Sequence, residues 1–259
     1  MDIKILEKSD EKIKFIIENT DNGFVNALRR TAFGEIPILS IENVDFYENS
    51  SGLYDETVAH RLGLIPLVFD PKAYTLKDEC KCEGKGCSRC ETTFVIEKVG
   101  PCIVRTSDMK CTDDSTPADP DIPIVELLEG QKLKVEAIAQ LGFGRDHVKW
   151  QASIAGYKNM PVVRLTENAD SKIISICPEK VFEKRDGKIK VVNASACSLC
   201  MRCTEINEDG VKISADDSSF VFTIESVCGL SANQVLEIAL DNMEEKADRF
   251  RKELNKHVK

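Results

Sequence analysis

Alternation marks the start of the chain. Ile13, Phe15 and Ile17 recur at every second position, the period of a strand buried on one face, and Ser9 to Glu11 offers the turn that pairs this strand with the residues before it. In NGFVNALRRTAFGEIP the period changes: Phe24, Leu28 and Ala32 fall at helical spacing between Gly23 and Gly34, with Gly34 suited to the C-terminal cap and Pro37 just beyond. The first 48 residues therefore predict a hairpin, a helix and a further strand. The other end uses the same vocabulary. Phe220, Phe222 and Ile224 share one face of a predicted strand, and Ser231 with Gln234 forms the capping box that opens a last helix. Along it Leu236, Leu240, Met243, Ala247, Phe250 and Leu254 recur at steps of 4, 3, 4, 3 and 4, a coiled-coil-like seam. That seam either packs on the chain's own sheet or faces a partner. Val235, Ile238 and Ala239 favour the partner, because they widen the apolar surface enough to cover the home sheet and leave the seam free.

Between these ends lie two inserted stretches. Residues 49–165 hold a short predicted helix in YDETVAHRLGLIP, with Asp55 as N-cap and Gly63 past its end, then a group of cysteines. They also hold TSDMKCTDDSTPADPDIP, whose acids and prolines predict an exposed connector. Residues 166–218 hold a second group of cysteines. The expected organisation is α+β: one domain from residues 1–48 and 219–259, interrupted by 49–165 as a mixed or β insert and by 166–218 as a small cysteine-bearing domain.

Composition narrows the chemistry. With 259 residues, 42% hydrophobic and 31% charged, the chain is long enough for two or three domains with a real core. It has no apolar run near the ~20 residues that span a bilayer, and MDIKILEKSDEK lacks the pattern of a secretory signal, so a cytoplasmic location is expected. A net charge of −9 argues against a nucleic-acid-binding surface over the whole molecule, so contact with DNA is expected to be indirect. Eleven cysteines in a reducing compartment point to metal or cluster ligands rather than disulfides.

The strongest constellation is Cys197-x-x-Cys200-x-x-Cys203 together with the remote Cys177-Pro178. In two-cluster ferredoxins each such run takes its fourth ligand from the Cys-Pro of the other run, and a remote Cys-Pro completes the set here. The expected cofactor is one 4Fe-4S cluster. Three ligands alone would suit a 3Fe-4S cluster, and a four-thiolate zinc site is the other option. A ferredoxin-like half predicts a helix starting at Pro178 through EKVFEK and a strand over GKIKVV. The complementary cluster set is lost: Asp170, Ile173 and Asn207 stand where its cysteines would be. The second constellation, Cys80-x-Cys82 with Cys87-x-x-Cys90 in CKCEGKGCSRC, predicts a closed structural zinc site, with Gly84 and Gly86 allowing the loop to turn sharply. Reduced thiols in a loop are the plainer reading. Cys102, Cys111 and Cys228 lack partners in sequence and read as small buried residues.

The chain has no phosphate loop, no dinucleotide fingerprint and no H-E-x-x-H, and His60, His147 and His257 are better suited to structural hydrogen bonds than to proton transfer. No catalytic residue is expected.

The string NALRRTAFGEIPILSIENVDFYENSSGLYDETVAHRLGLIPL resembles the signature shared by the D subunits of archaeal RNA polymerases, their eukaryotic third-largest-subunit relatives and, more distantly, the bacterial alpha subunit. GRDHVKW and the terminal KADRFRKEL resemble later segments of the same family. This resemblance implies a non-catalytic assembly subunit of DNA-directed RNA polymerase, with residues 1–48 and 219–259 as a dimerisation domain and 166–218 as a ferredoxin-like cluster domain. It implies that the stretch from Phe24 to Phe33, with Phe24 and Leu28, and the stretch from Leu236 to Leu254, with Leu240, Met243 and Phe250, pack against subunit L. Arg29, Arg30 and residues 55–66 would face the large subunits A and B or the small subunits N and P. Cys177, Cys197, Cys200 and Cys203 carry over as cluster ligands. CKCEGKGCSRC resembles the zinc loop of the eukaryotic relatives with a central spacing one residue longer. The competing function is a ferredoxin-type electron-transfer component of an oxidoreductase, against which the single retained cluster and the missing flavin or nucleotide motif both count. The cluster itself is either a sensor that couples assembly to oxygen or iron supply, or a staple.

Overall fold

The computed structural model describes residues 1–258. In chain order the first elements are strands β1 (Asp2–Lys8) and β2 (Lys12–Glu18), helix α1 (Asn22–Gly34), β3 (Pro37–Asn49) and α2 (Asp55–Gly63). A β-rich stretch follows: β4 (Leu67–Val68), β5 (Glu91–Val99), β6 (Cys102–Arg105), β7 (Lys110–Cys111), β8 (Thr116–Pro117), β9 (Pro123–Leu127), β10 (Lys132–Phe143) and β11 (Ser153–Leu165). Then come α3 (Lys172–Ile176), β12 (Phe182–Arg185), β13 (Lys188–Val191), α4 (Arg202–Ile206), β14 (Val211–Ser226) and α5 (Ala232–His257). The class is α+β, and the chain divides into two compact units.

The first unit comprises residues 1–8, 14–27 and 156–223. Its sheet has the order β1-β2-β14-β11. The alternation read from the sequence is what buries its inner face: Phe15 is 3% exposed and Phe222 fully buried, and their rings stack at 5.4 Å. Tyr157 meets Phe220 edge-on at 5.8 Å on the same sheet. A second, smaller core gathers Ile173, Val181, Phe182, Cys197, Cys203 and Val211. Cysteines thus take part in the packing of a region with few large apolar residues.

The second unit comprises residues 9–13 and 28–155 and the chain from Ile224 onward. Its main sheet runs β3-β10-β5-β7. β10 pairs antiparallel with β3, Leu133 opposite Asn49 and Phe143 opposite Pro37, and with β5, Lys132 opposite Val99. Leu133, Val135, Ala137 and Ala139 of β10 are fully buried, as are Phe94 and Ile96 of β5, so one face of this sheet forms the core. At α5 the capping box forms as the sequence predicts: Ser231 Oγ accepts from the Gln234 amide at 3.3 Å, and Gln234 Oε1 accepts from the Ser231 amide at 2.9 Å.

Three local expectations are corrected. The helix predicted from Pro178 through EKVFEK is absent; α3 ends before Cys177, Lys180 takes a left-handed φ of 50°, and Phe182–Arg185 is strand β12. Val181 and Phe182 are needed in the small core, and the break at Lys180 turns them into it. Asp55 is the first residue of α2 rather than its cap, which is Tyr54, and its carboxylate accepts from Asn49 Nδ2 at 2.7 Å. The acidic connector is folded rather than exposed throughout. Thr106 is fully buried with Oγ1 donating to the Asp119 carbonyl at 2.6 Å, and Tyr74 Oη bonds Ser115 Oγ at 2.9 Å and donates to Asp113. Burial and the Asp113 carboxylate push the Tyr74 phenol up to about 12.

Candidate metal centres and partner-facing helix

The loop between β4 and β5 brings Cys80, Cys82, Cys87 and Cys90 together, all four Sγ atoms within 4.8 Å of one another. Cys80 and Cys87 lie 3.6 Å apart, Cys82 and Cys90 3.6 Å, and Cys87 and Cys90 3.9 Å. Thiolates at the usual Zn–S distance of about 2.3 Å from one tetrahedral ion stand about 3.8 Å from each other, so the set already has the dimensions of a zinc site. These separations are far from the ~2.05 Å of a disulfide. The backbone supports the cage: Glu83, Gly84 and Gly86 have φ of 54°, 78° and 87°, and a Cβ at Gly86 would sit 1.9 Å from Glu91 Oε1. The Cys87 amide donates to Cys90 Sγ at 3.4 Å, and Lys77 pairs with Glu91 at 3.1 Å close to the thiols. No open position faces a substrate, since all four donors are thiols of one loop.

Hydrogen bonding from Cys80 pulls the Cys82 thiol down to about 7, whereas burial pushes Cys90 up to about 12. Without metal, Cys90 holds its proton at neutral pH and Cys82 is close to half ionised. A metal ion must displace these protons, so acid opposes binding, by about tenfold per displaced proton per pH unit. Chelator competition at a series of pH values should show zinc affinity falling on acidification, with the slope steepening as the pH drops through about 7, where Cys82 takes up its proton. A flat profile would contradict thiolate ligation.

The first unit carries the other cysteine set. Cys177, Cys197, Cys200 and Cys203 line a single recess, together with Pro178, Val181 and Phe182. Leu199 and Met201, on either side of Cys200, have φ of 57° and 62°. The loop therefore reverses sharply on either side of Cys200. The Val181 amide approaches Cys177 Sγ at 3.5 Å, and burial pushes the Cys203 thiol up, with Cys197 and Cys177 adding to the effect. The four thiols therefore share one recess, whereas among the described residues only the Cys80, Cys82, Cys87 and Cys90 sulfurs lie close enough together to hold a single ion. The residues in place of the complementary set have other work: Ile173 is fully buried in the small core, Asp170 accepts from the Lys172 amide at 3.0 Å, and Asn207 Nδ2 donates to the Asn168 carbonyl at 3.1 Å.

Along α5 the apolar surface divides as the sequence implies. Val235 and Ala239 are fully buried, whereas Leu240, Phe250 and Leu254 are 42%, 71% and 49% exposed. Asn242 Nδ2 donates to the Glu35 carbonyl at 2.9 Å and Lys246 pairs with the Glu35 carboxylate, which ties the first half of the helix down. Leu236 and Met243 are half-buried. Arg29, Arg30, Phe33 and Arg145 line a shallow depression near the end of α1, with the Arg145 guanidinium over the Phe143 ring at 4.6 Å. Phe24 is half-buried, but Leu28 is only 2% exposed. The partner contact expected of Leu28 is thus corrected: its helical phase points it into the core with Ala32, whereas Phe33, at the end of the same expected stretch, is exposed. Cys102, Cys111 and Cys228 are half-buried rather than buried. The sequence reading missed Lys158, whose Nζ donates to the Ala196 and Cys197 carbonyls at 3.2 and 2.7 Å from 38 and 39 residues away. Nothing in its local sequence marks it.

Residues 40–169 match the family described as the RNA polymerase Rpb3/RpoA insert domain. The chain is 41% identical over 256 residues to DNA-directed RNA polymerase subunit Rpo3 of Methanosarcina acetivorans, covering 96% of each chain. It is 38% identical to the subunit Rpo3 of Archaeoglobus fulgidus, covering 97% of each, and 36% identical to that of Thermococcus kodakarensis, covering 99% of this chain and 98% of the relative. With matches that run nearly end to end at such identity, the chain belongs to the Rpo3 family of DNA-directed RNA polymerase subunits.

Proposed function

We propose that the chain is a non-catalytic platform on which RNA polymerase assembles, pairing with subunit L and presenting the large subunits A and B and the small subunits N and P with their binding surfaces. The observation that carries this reading is the exposed seam of Leu240, Phe250 and Leu254 on a helix that is anchored by its buried Val235 and Ala239. Apolar residues left in a row on a well-anchored helix are stabilised by a partner helix, not by water. Residues 1–48 and 219–259 form the dimerisation domain in this reading, 49–165 the insert and 166–218 a ferredoxin-like domain. Leu236 and Met243 extend the seam, Phe24 is a separate contact to subunit L, and Arg29 and Arg30 face the larger subunits. Nucleotidyl transfer belongs to those subunits, and contact with DNA is indirect. The setting is the cytoplasm.

Two metals stabilise the platform. Cys177, Cys197, Cys200 and Cys203 hold one 4Fe-4S cluster, a reading supported by their common recess and by the sharp turns on either side of Cys200. Cys80, Cys82, Cys87 and Cys90 hold structural zinc, supported by the sulfur separations. The electron-transfer alternative has no support in the comparisons. An affinity-tagged chain recovered from its native cell should bring the other polymerase subunits with it and support template-dependent RNA synthesis. Recovery with a redox enzyme and no polymerase would refute the proposal.

A further inference from the structure

The recess formed by Cys177, Cys197, Cys200 and Cys203 has a neighbour that its ligand set does not account for. Lys158 extends from β11, half-buried, and its Nζ donates to the main-chain carbonyls of Cys197 at 2.7 Å and Ala196 at 3.2 Å. These are the residues at which the C-x-x-C-x-x-C run begins. The charged groups around the amine are Lys14 of β2, Glu179 beside Pro178, and Cys197 itself. Burying a lysine next to another lysine is costly, and two charge-assisted hydrogen bonds to the backbone provide the compensation. Those bonds could have been made by a neutral donor. The position of a cation here is therefore informative.

We propose that Lys158 is a positioning residue for the iron–sulfur cluster: it fixes the backbone at Cys197, the first ligand of the run, and sets a positive charge beside the thiolates that favours the reduced cluster. This role rests on the cluster reading above. A group that bears several thiolates gains negative charge when it accepts an electron, and a fixed cation close by stabilises that state more than the oxidised one. Lys158 lies outside the ligand set, so its removal leaves all four cysteines in place.

The test uses the full-length chain purified without oxygen. Iron and sulfide content come first, then the midpoint potential by titration followed with electron paramagnetic resonance, then the rate of iron loss to a chelator. Lys158→Gln keeps a donor and loses the charge; it should lower the reduced-to-oxidised ratio at a fixed potential by about tenfold, which for one electron is about 59 mV. Lys158→Arg keeps the charge and should stay close to the parent in potential. Lys158→Met loses both and should also release iron about tenfold faster. If Lys158→Met fails to fold, Lys158→Gln decides the matter. A Lys158→Gln protein with full iron and the parental potential would overturn the proposal, and so would a Lys158→Arg protein as shifted as the Gln variant. A parent chain free of iron and sulfide would overturn the cluster reading and this proposal with it, whereas a loaded parent with unresponsive variants overturns this proposal alone.

Discussion

Leu240→Asp and Phe250→Asp should each abolish pairing with subunit L while leaving the isolated chain folded. Both side chains are well exposed, 42% and 71%, so a carboxylate there costs the free chain little. In the paired state the same carboxylate would be trapped in an apolar seam without a counter-charge, a penalty of about 3 kcal/mol or more, or at least a hundredfold in affinity. Leu240→Ala removes contact area only and should cost about 1–2 kcal/mol. Titration calorimetry against subunit L measures the affinities, and circular dichroism of the free variants checks the fold. If both aspartate variants bound normally, the interface would have to lie elsewhere than on α5.

Cys90→Ser should have the largest effect on metal content. Cys90 is fully buried immediately before β5, with its sulfur among those of Cys80, Cys82 and Cys87. A hydroxyl there is a poor ligand for zinc. Structural zinc sites bind with apparent free energies of about 10–16 kcal/mol, so loss of one of four thiolates is expected to weaken binding by about a thousandfold or more. The loop also has little else to hold it, because Lys81, Glu83 and Lys85 are exposed and the turn depends on left-handed glycines. Zinc content and chelator competition should show the loss, and the thermal transition should move down with it. Cys102→Ser is the control: that thiol donates to the Val99 carbonyl, at 3.6 Å, and its replacement should leave zinc content unchanged.

The parts of this structure that could be read from sequence are those with local causes. The period of Ile13, Phe15 and Ile17, the capping box at Ser231 and the spacing of Cys80 to Cys90 each depend on neighbours within a few residues, and each recurs in the structure. The misreadings have long-range causes. EKVFEK has good helix formers, but Val181 and Phe182 are drawn into a core completed by Val211, and that demand outweighs propensity. The connector around Asp113 looks like solvent-exposed acid until Tyr74, 39 residues earlier, arrives to bond it. Leu28 was misplaced for a similar reason, since a helical stripe alone does not tell which face meets the chain's own core and which a partner.

The platform role depends above all on whether this chain pairs with subunit L. Mixing the two purified proteins and measuring mass by light scattering after gel filtration tests it directly: a stable one-to-one heterodimer without polymerase activity of its own is expected, and two separate monomers at micromolar concentration would contradict the platform role.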